Sequence, residues 1–143
     1  MKVSMIGPSY PFRGGISHYT TLLYRNLKKT HDTKFYAFKR QYPKWLFPGY
    51  NGRDNSGTVI RECDVDNILD SLNPFTWLKV FLRIKKANPD LVIFPWWVSF
   101  WTPQFWTIAT LVKTFTQAKI LFICHNVVEH ESKMVDKICT KFV

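Results

Sequence analysis

The chain has 143 residues, with 20 lysines and arginines against 10 acidic residues for a net charge of +10. Hydrophobic residues make up 46% and aromatics 17%, which excludes a disordered chain and supplies the apolar surface for one domain with a real core. The three cysteines, Cys63, Cys124 and Cys139, form no CxxC pair and no even set, which excludes a disulfide scaffold and fits a reducing compartment.

The first apolar run, residues 2–6, reads as a buried parallel strand. It leads into Gly7-Pro8-Ser9-Tyr10-Pro11-Phe12-Arg13-Gly14-Gly15 and then a helix with Ile16, Tyr19, Leu23 and Leu27 at helical spacing. Strand, glycine-rich turn and helix is the arrangement in which free N–H groups at a helix N-terminus meet an anion. Gly14 and Gly15 remove two Cβ atoms where a ligand or another backbone approaches. The same residues also suit an ordinary tight turn.

Residues 33–38 read as a second strand, rich in aromatics. A long irregular segment follows over 39–57, basic and aromatic, with Tyr42, Trp45, Leu46, Phe47 and Tyr50 among its lysines and arginines. Such a stretch in a small domain is a functional loop or disorder, and this one suits either a membrane interface or a folded surface loop. A short strand is expected at 58–61, followed by an acidic stretch that includes Glu62, Asp64, Asp66 and Asp70. Asn73-Pro74 marks the start of a helix over 75–86 with Trp77, Phe81 and Ile84 on one side. Its cluster Arg83, Lys85 and Lys86 reads as a solvated face.

Residues 91–95 (LVIFP) and 119–123 (KILFI) read as central strands, with a helix between them opened by Thr102-Pro103. The apolar region 91–112 is interrupted by Pro95, Pro103 and Gln104, so it is not the run of about 20 apolar residues that a membrane span needs. A last helix is expected from about His130, with no cap at its end. With no signal peptide at its start, the chain is expected to be cytoplasmic.

Strands alternating with helices define an α/β, Rossmann-like, doubly wound and mostly parallel sheet in a single domain. Ligands bind such sheets beyond the carboxyl ends of the strands. That edge gathers Arg13, Gly14 and Gly15 after the first strand, Trp96 and Trp97 after LVIFP, and His125 and Asn126 after KILFI. His125 is the candidate catalytic residue, since imidazole both donates and accepts hydrogen bonds near neutral pH; a structural strand-end histidine is the alternative. Cys124 beside it reads as a buried, inert thiol, and the sequence places no base at catalytic spacing from Ser17 or His18. Glu129, His130 and Glu131 do not form an HExxH pattern, and no metal is expected. GxGxxG and GxxxxGK[ST] are absent, and Phe38-Lys39-Arg40 stands where a ribose-binding acid belongs, so nicotinamide and P-loop nucleotide binding are disfavoured.

Together, the opening Lys2-Val3-Ser4-Met5-Ile6-Gly7, the loop Pro11-Phe12-Arg13-Gly14-Gly15-Ile16, Asn88-Pro89-Asp90-Leu91-Val92-Ile93 and Leu121-Phe122-Ile123-Cys124-His125-Asn126-Val127 resemble the N-terminal, acceptor-side domain of a GT-B glycosyltransferase of the family 4 kind. The resemblance runs over essentially the whole chain, residues 1–143. It implies retaining transfer from a nucleotide sugar, as co-substrate without further cofactor, to a glycan or lipid-linked acceptor. Gly14 and Gly15 would line the cleft near the donor phosphates and His125 would contact the transferred sugar. The paired-glutamate motif of that family lies in a second, nucleotide-binding domain that this chain lacks, and Glu129 and Glu131 do not replace it. The expectation is therefore half of an enzyme, completed in cis or trans and working at the inner face of an anionic membrane. The other classes are a stand-alone basic and aromatic module for anionic membrane or nucleic acid, the latter disfavoured, and a non-functional gene fragment.

Overall fold

A computed structural model of the chain describes residues 1–12, 14–42, 62 and 64–125. The expected strand at 58–61, the aromatics from 45 to 50, the last helix, and Arg13 and Asn126 lie outside them. Among the described residues five strands, β1 (Lys2–Gly7), β2 (Asp32–Arg40), β3 (Asp66–Asp70), β4 (Leu91–Trp96) and β5 (Lys119–Cys124), form one sheet in the order β3-β2-β1-β4-β5. Every neighbouring pair is parallel. Three helices flank it: α1 (Gly15–Leu27), α2 (Pro74–Ala87) and α3 (Thr102–Phe115), the last preceded by a short 3-10 turn at Ser99–Trp101. This is the α/β, Rossmann-like fold that the alternation of apolar runs implies.

Side chains alternate across the pleat and divide the core in two. Val3, Met5, Phe35, Ala37 and Ile93 point to one face and pack with Tyr24 of α1. Ile6, Tyr36, Phe38, Val92, Phe94 and Trp96 point to the other and pack with Val80, Phe81 and Ile84 of α2 and Phe105, Ile108 and Val112 of α3. The central strands are buried on both faces, which is why they read as continuous apolar runs.

The α1 face differs from its expected one. Ser17, Thr20, Thr21 and Tyr24 are buried, while Tyr19 is 41% exposed. The buried set still follows the i, i+3, i+4, i+7 rule, but with hydroxyls in place of apolar side chains. Those hydroxyls are satisfied close at hand: Thr21 Oγ1 donates to Ser17 O at 2.7 Å, and Thr20 Oγ1 reaches the carbonyl of Ile16 at 2.8 Å and that of Pro8. Thr21 Oγ1 also accepts from Tyr10 N at 3.0 Å, so the two threonines fasten the 8–12 turn to the helix.

β3 is an element that composition disguised as an acidic surface stretch. It is an edge strand whose Leu69 is fully buried, and its acids are held by cations on neighbouring elements. Arg40 makes a two-point contact with Asp70 (2.9 and 2.7 Å), and Arg83 Nη1 meets Asp66 Oδ2 at 2.6 Å. Just ahead of β3, Glu62 takes Arg25 Nε at 2.5 Å and the Lys28 ammonium, and Asp64 takes the Tyr24 hydroxyl at 2.7 Å. Desolvation pushes the Glu62 carboxyl upward, but hydrogen bonds from Lys28 and Arg25 outweigh it and hold the group below its ordinary range.

α2 is bounded as its sequence dictates. Asn73 accepts from Phe75 N at 3.1 Å, Pro74 opens the helix, and Asn88 ends it in the left-handed conformation at φ 45°. α3 departs from expectation at its start: Trp101 holds the cap position, and Thr102 Oγ1 instead donates back to Ser99 O at 2.7 Å. Among the described residues no helix is long and apolar enough to cross a membrane.

The sheet opens at one place. β1 pairs with β4 only at Val3–Leu91, Ser4–Val92 and Met5–Ile93, whereas β1 stays paired with β2 as far as Gly7–Ala37 and β4 with β5 as far as Trp96–Cys124. Past Ile93 comes Pro95, which has no N–H to offer a ladder. Its ring leans on Gly7, where a Cβ would lie 2.7 Å from Pro95 Cγ. Gly7→Ala is expected to lower stability by about 1–3 kcal/mol through overpacking, read as a shift in the denaturant midpoint. An unchanged midpoint would mean that the contact is not tight.

Candidate functional site

The parting of β1 and β4 falls where the strand order reverses, the position at which doubly wound sheets take their ligands. A cavity of about 150 Å³ lies there, lined by Pro8, Gly14, Gly15, Ile16, Ser17, Gln41, Tyr42 and Trp97. These residues come from the turn after β1, the start of α1, the chain leaving β2, and the chain leaving β4.

The α1 end of the cavity is built to meet an acceptor. Gly14 is the cap residue, at φ 128° and ψ 153°, a conformation open essentially to glycine alone. It offers no side chain to the helix, so the N–H groups of Gly15, Ile16 and Ser17, which have no acceptor inside α1, are not capped by it. An added Cβ at Gly14 or Gly15 would meet nothing within 4 Å. Ser17 Oγ lines the same cavity, is buried, and has no hydrogen-bond partner among the described residues. Convergent N–H groups, the positive end of a helix and an unpartnered hydroxyl suit an anion or a polyhydroxyl ligand.

The opposite wall is aromatic. Tyr42 packs on Trp101 and Phe100 (ring centroids 4.9 and 5.6 Å apart), and Trp97 packs on Trp101 at 5.5 Å. Trp101, fully buried, thus backs both cavity-lining rings and sits on Phe38 at 4.6 Å.

Of the candidates read from sequence, the structure brings Gly14, Gly15 and Trp97 together at this cavity. Trp96 is corrected: strand alternation turns it inward, and at 3% exposure it belongs to the core. What Trp96 gives the edge is its carbonyl, which accepts from His125 N at 2.8 Å. The His125 ring stands apart from the cavity lining and meets Tyr19 of α1 edge-on, with centroids 4.7 Å apart. Among the described residues its buried Nε2 has no partner, and burial holds its pKa below the ordinary histidine value, favouring the neutral ring. Cys124 is also corrected, since it is free and exposed at the end of the edge strand β5. Among the described residues no three His, Cys, Asp or Glu side chains gather as a metal site.

Ser17, Gln41 and Tyr42 were not singled out as cleft residues. The series Ser17, Thr20, Thr21 and Tyr24 at helical spacing was the available signal that α1 approaches the turn through hydroxyls. For Gln41 and Tyr42 the signal was their position at the end of β2, one strand from the switch point. In comparisons with known proteins, no family model, no curated protein and no solved structure matches the chain.

The partial desolvation of His125 has a thermodynamic signature. Its folded pKa lies below the unfolded value of about 6.5, so below that pH the unfolded chain binds more protons, and stability falls as pH drops toward the folded pKa. Thermal midpoints measured from pH 8 to 5 are expected to decline less in His125→Gln than in the parent over the lower part of that range. Superimposable profiles would show that the ring is not desolvated.

Proposed function

We propose that this chain is the acceptor-side half of a retaining glycosyltransferase, moving a sugar from a nucleotide sugar to a glycan or lipid-linked acceptor. A nucleotide-binding domain, in cis or in trans, completes the cleft. The observation that carries the reading is the α1 end of the switch-point cavity, where helical N–H groups without a side-chain cap meet the unpartnered Ser17 hydroxyl. An N-terminus of this kind is matched to a phosphate, and the absence of a Cβ at Gly14 and Gly15 leaves room for it to come close.

The other residues find roles consistent with that substrate. Trp97 and Tyr42 supply flat apolar surface for a sugar ring, and Gln41 supplies an amide for its hydroxyls. His125, neutral and with an unsatisfied Nε2, would hydrogen-bond the transferred sugar from the end of β5. Work at the inner face of an anionic membrane fits the charge of +10.

The test begins with the native product, captured with an antibody to this domain, sized, and assayed for sugar transfer from a panel of nucleotide sugars. Transfer is expected only from an assembly containing a second, nucleotide-binding domain. In that assembly Gly15→Ala and His125→Ala are expected to cut turnover by roughly 100-fold through misplacement of the donor, while Gly15→Ala shifts stability by less than about 0.5 kcal/mol. Transfer unaffected by both substitutions, or none from any nucleotide sugar, would overturn the proposal.

A further inference from the structure

The outer face of α2 carries a feature the sugar-transfer reading does not use. Trp77, Val80, Phe81 and Ile84 turn inward, yet Phe75 is 83% exposed, Leu78 46% and Leu82 54%. Their spacing of three and four residues places them on one outward ridge. Exposed Leu72 precedes the ridge in the turn, and Phe115 of α3, exposed as well, touches Phe81 with ring centroids 6.0 Å apart. Single exposed apolar residues need no explanation, but an aligned series on one helix does.

The charge around the ridge is of one sign. Neither α2 nor α3 contains an acidic residue. Lys79 and Lys86 lie on the ridge side of α2, exposed, with exposed Lys85 beside them and Lys113 on α3. Lys85 Nζ lies 5.5 Å from the centre of the Phe115 ring. Of the acids flanking α2 in the chain, Asp66 and Asp70 are occupied by Arg83 and Arg40, and Asp90 accepts from Lys2 N at 2.7 Å. Among the described residues Lys79, Lys86 and Lys113 make no ion pair, so their charge faces outward uncompensated.

We propose that the α2 face docks on an anionic lipid bilayer, with Phe75, Leu78 and Leu82 entering the interface and Lys79, Lys85 and Lys86 meeting lipid phosphates. A surface that is both apolar and uniformly cationic is complementary to a layer with acyl chains below anionic headgroups. Lysine suits it further, because its long stem lies along apolar surface while the ammonium stays at the headgroups. α2 begins at the carboxyl edge of the sheet, so Phe75 stands at the same rim as the switch-point cavity. The inference deepens the membrane location in the proposed function by naming the face that docks, and because its test uses no sugar, its failure and that of sugar transfer are distinguishable.

The experiment is co-sedimentation of the full chain with phosphatidylcholine vesicles that contain or lack phosphatidylglycerol, together with sedimentation of the chain alone. Binding is expected to the anionic vesicles only and to weaken as salt rises. Lys79→Glu/Lys86→Glu and, separately, Leu78→Gln/Leu82→Gln are each expected to weaken it about tenfold or more. All four positions are exposed, so thermal midpoints should hold, and the two pairs check one another. No binding to anionic vesicles, equal binding to neutral ones, or binding that both pairs leave intact would overturn the proposal. So would a vesicle-free dimer that Leu78→Gln/Leu82→Gln dissolves, because a second copy would then cover the ridge.

Discussion

The contact between Gly7 and the Pro95 ring sets the form of the molecule at its functional edge. A parallel sheet gains most from continuous ladders, yet β1 and β4 abandon theirs after Ile93 while their outer partners remain paired to the strand ends. Proline supplies the local cause, since it has no N–H, and glycine supplies the accommodation, since only a residue without Cβ lets the ring lie so close. The parting lies at the topological switch point, where the turn after β1 and the chain after β4 diverge to opposite faces of the sheet. Everything the cavity offers follows from that divergence: α1 enters on one side and the Trp97–Trp101 aromatic block on the other.

Charge is divided as unevenly as the backbone. The acids around β3 are engaged by Arg25, Lys28, Arg40 and Arg83, and Asp90 accepts from Lys2 N at 2.7 Å at the opposite end of the sheet. Pairs this exposed are individually weak. Their larger consequence is to remove negative charge from the outer surface and leave the remaining lysines unopposed. On the α2 face the lysines therefore stand among exposed apolar side chains with no acidic residue on the helix itself.

Sequence reasoning succeeded where one signal dominated. The runs KVSMIG and LVIFPW are strands because the sheet centre, buried on both faces, favours apolar side chains, and Asn73-Pro74 with Asn88 bounds α2 by cap chemistry. KILFIC is also a strand, but the expectation that it is central is corrected: β5 lies at the edge of the sheet and none of its residues is fully buried. Sequence reasoning failed where two signals competed. DNILD reads as a charged surface because two of its five residues are aspartates, yet it is a strand because it pairs with β2 and packs Ile68 and Leu69 on the core, while Arg40 and Arg83 engage its carboxylates. On α1 the periodic leucines drew attention from a buried hydroxyl face whose polarity is cancelled by the carbonyls of the helix itself. Trp96 was taken for a cleft residue because it stands at a strand end, but whether a strand-end residue faces cleft or core is decided by pleat parity, which places it in register with the buried Phe94 and Val92.

The size of the cavity bears on how such a site can work. At about 150 Å³ it is well below the roughly 300–1,000 Å³ of pockets that enclose a small-molecule ligand. It can seat a phosphate or part of a sugar ring against the α1 N-terminus, but it cannot enclose a whole nucleotide sugar. On the proposed sugar-transfer reading, the oriented N–H groups and the hydroxyl on one wall would fix one group of the ligand and leave the rest to be covered from across the opening. His125 suits this reading, because it lies outside the cavity lining, at the end of β5, where a ligand held at α1 and extended along the edge of the sheet would next reach a hydrogen-bonding group.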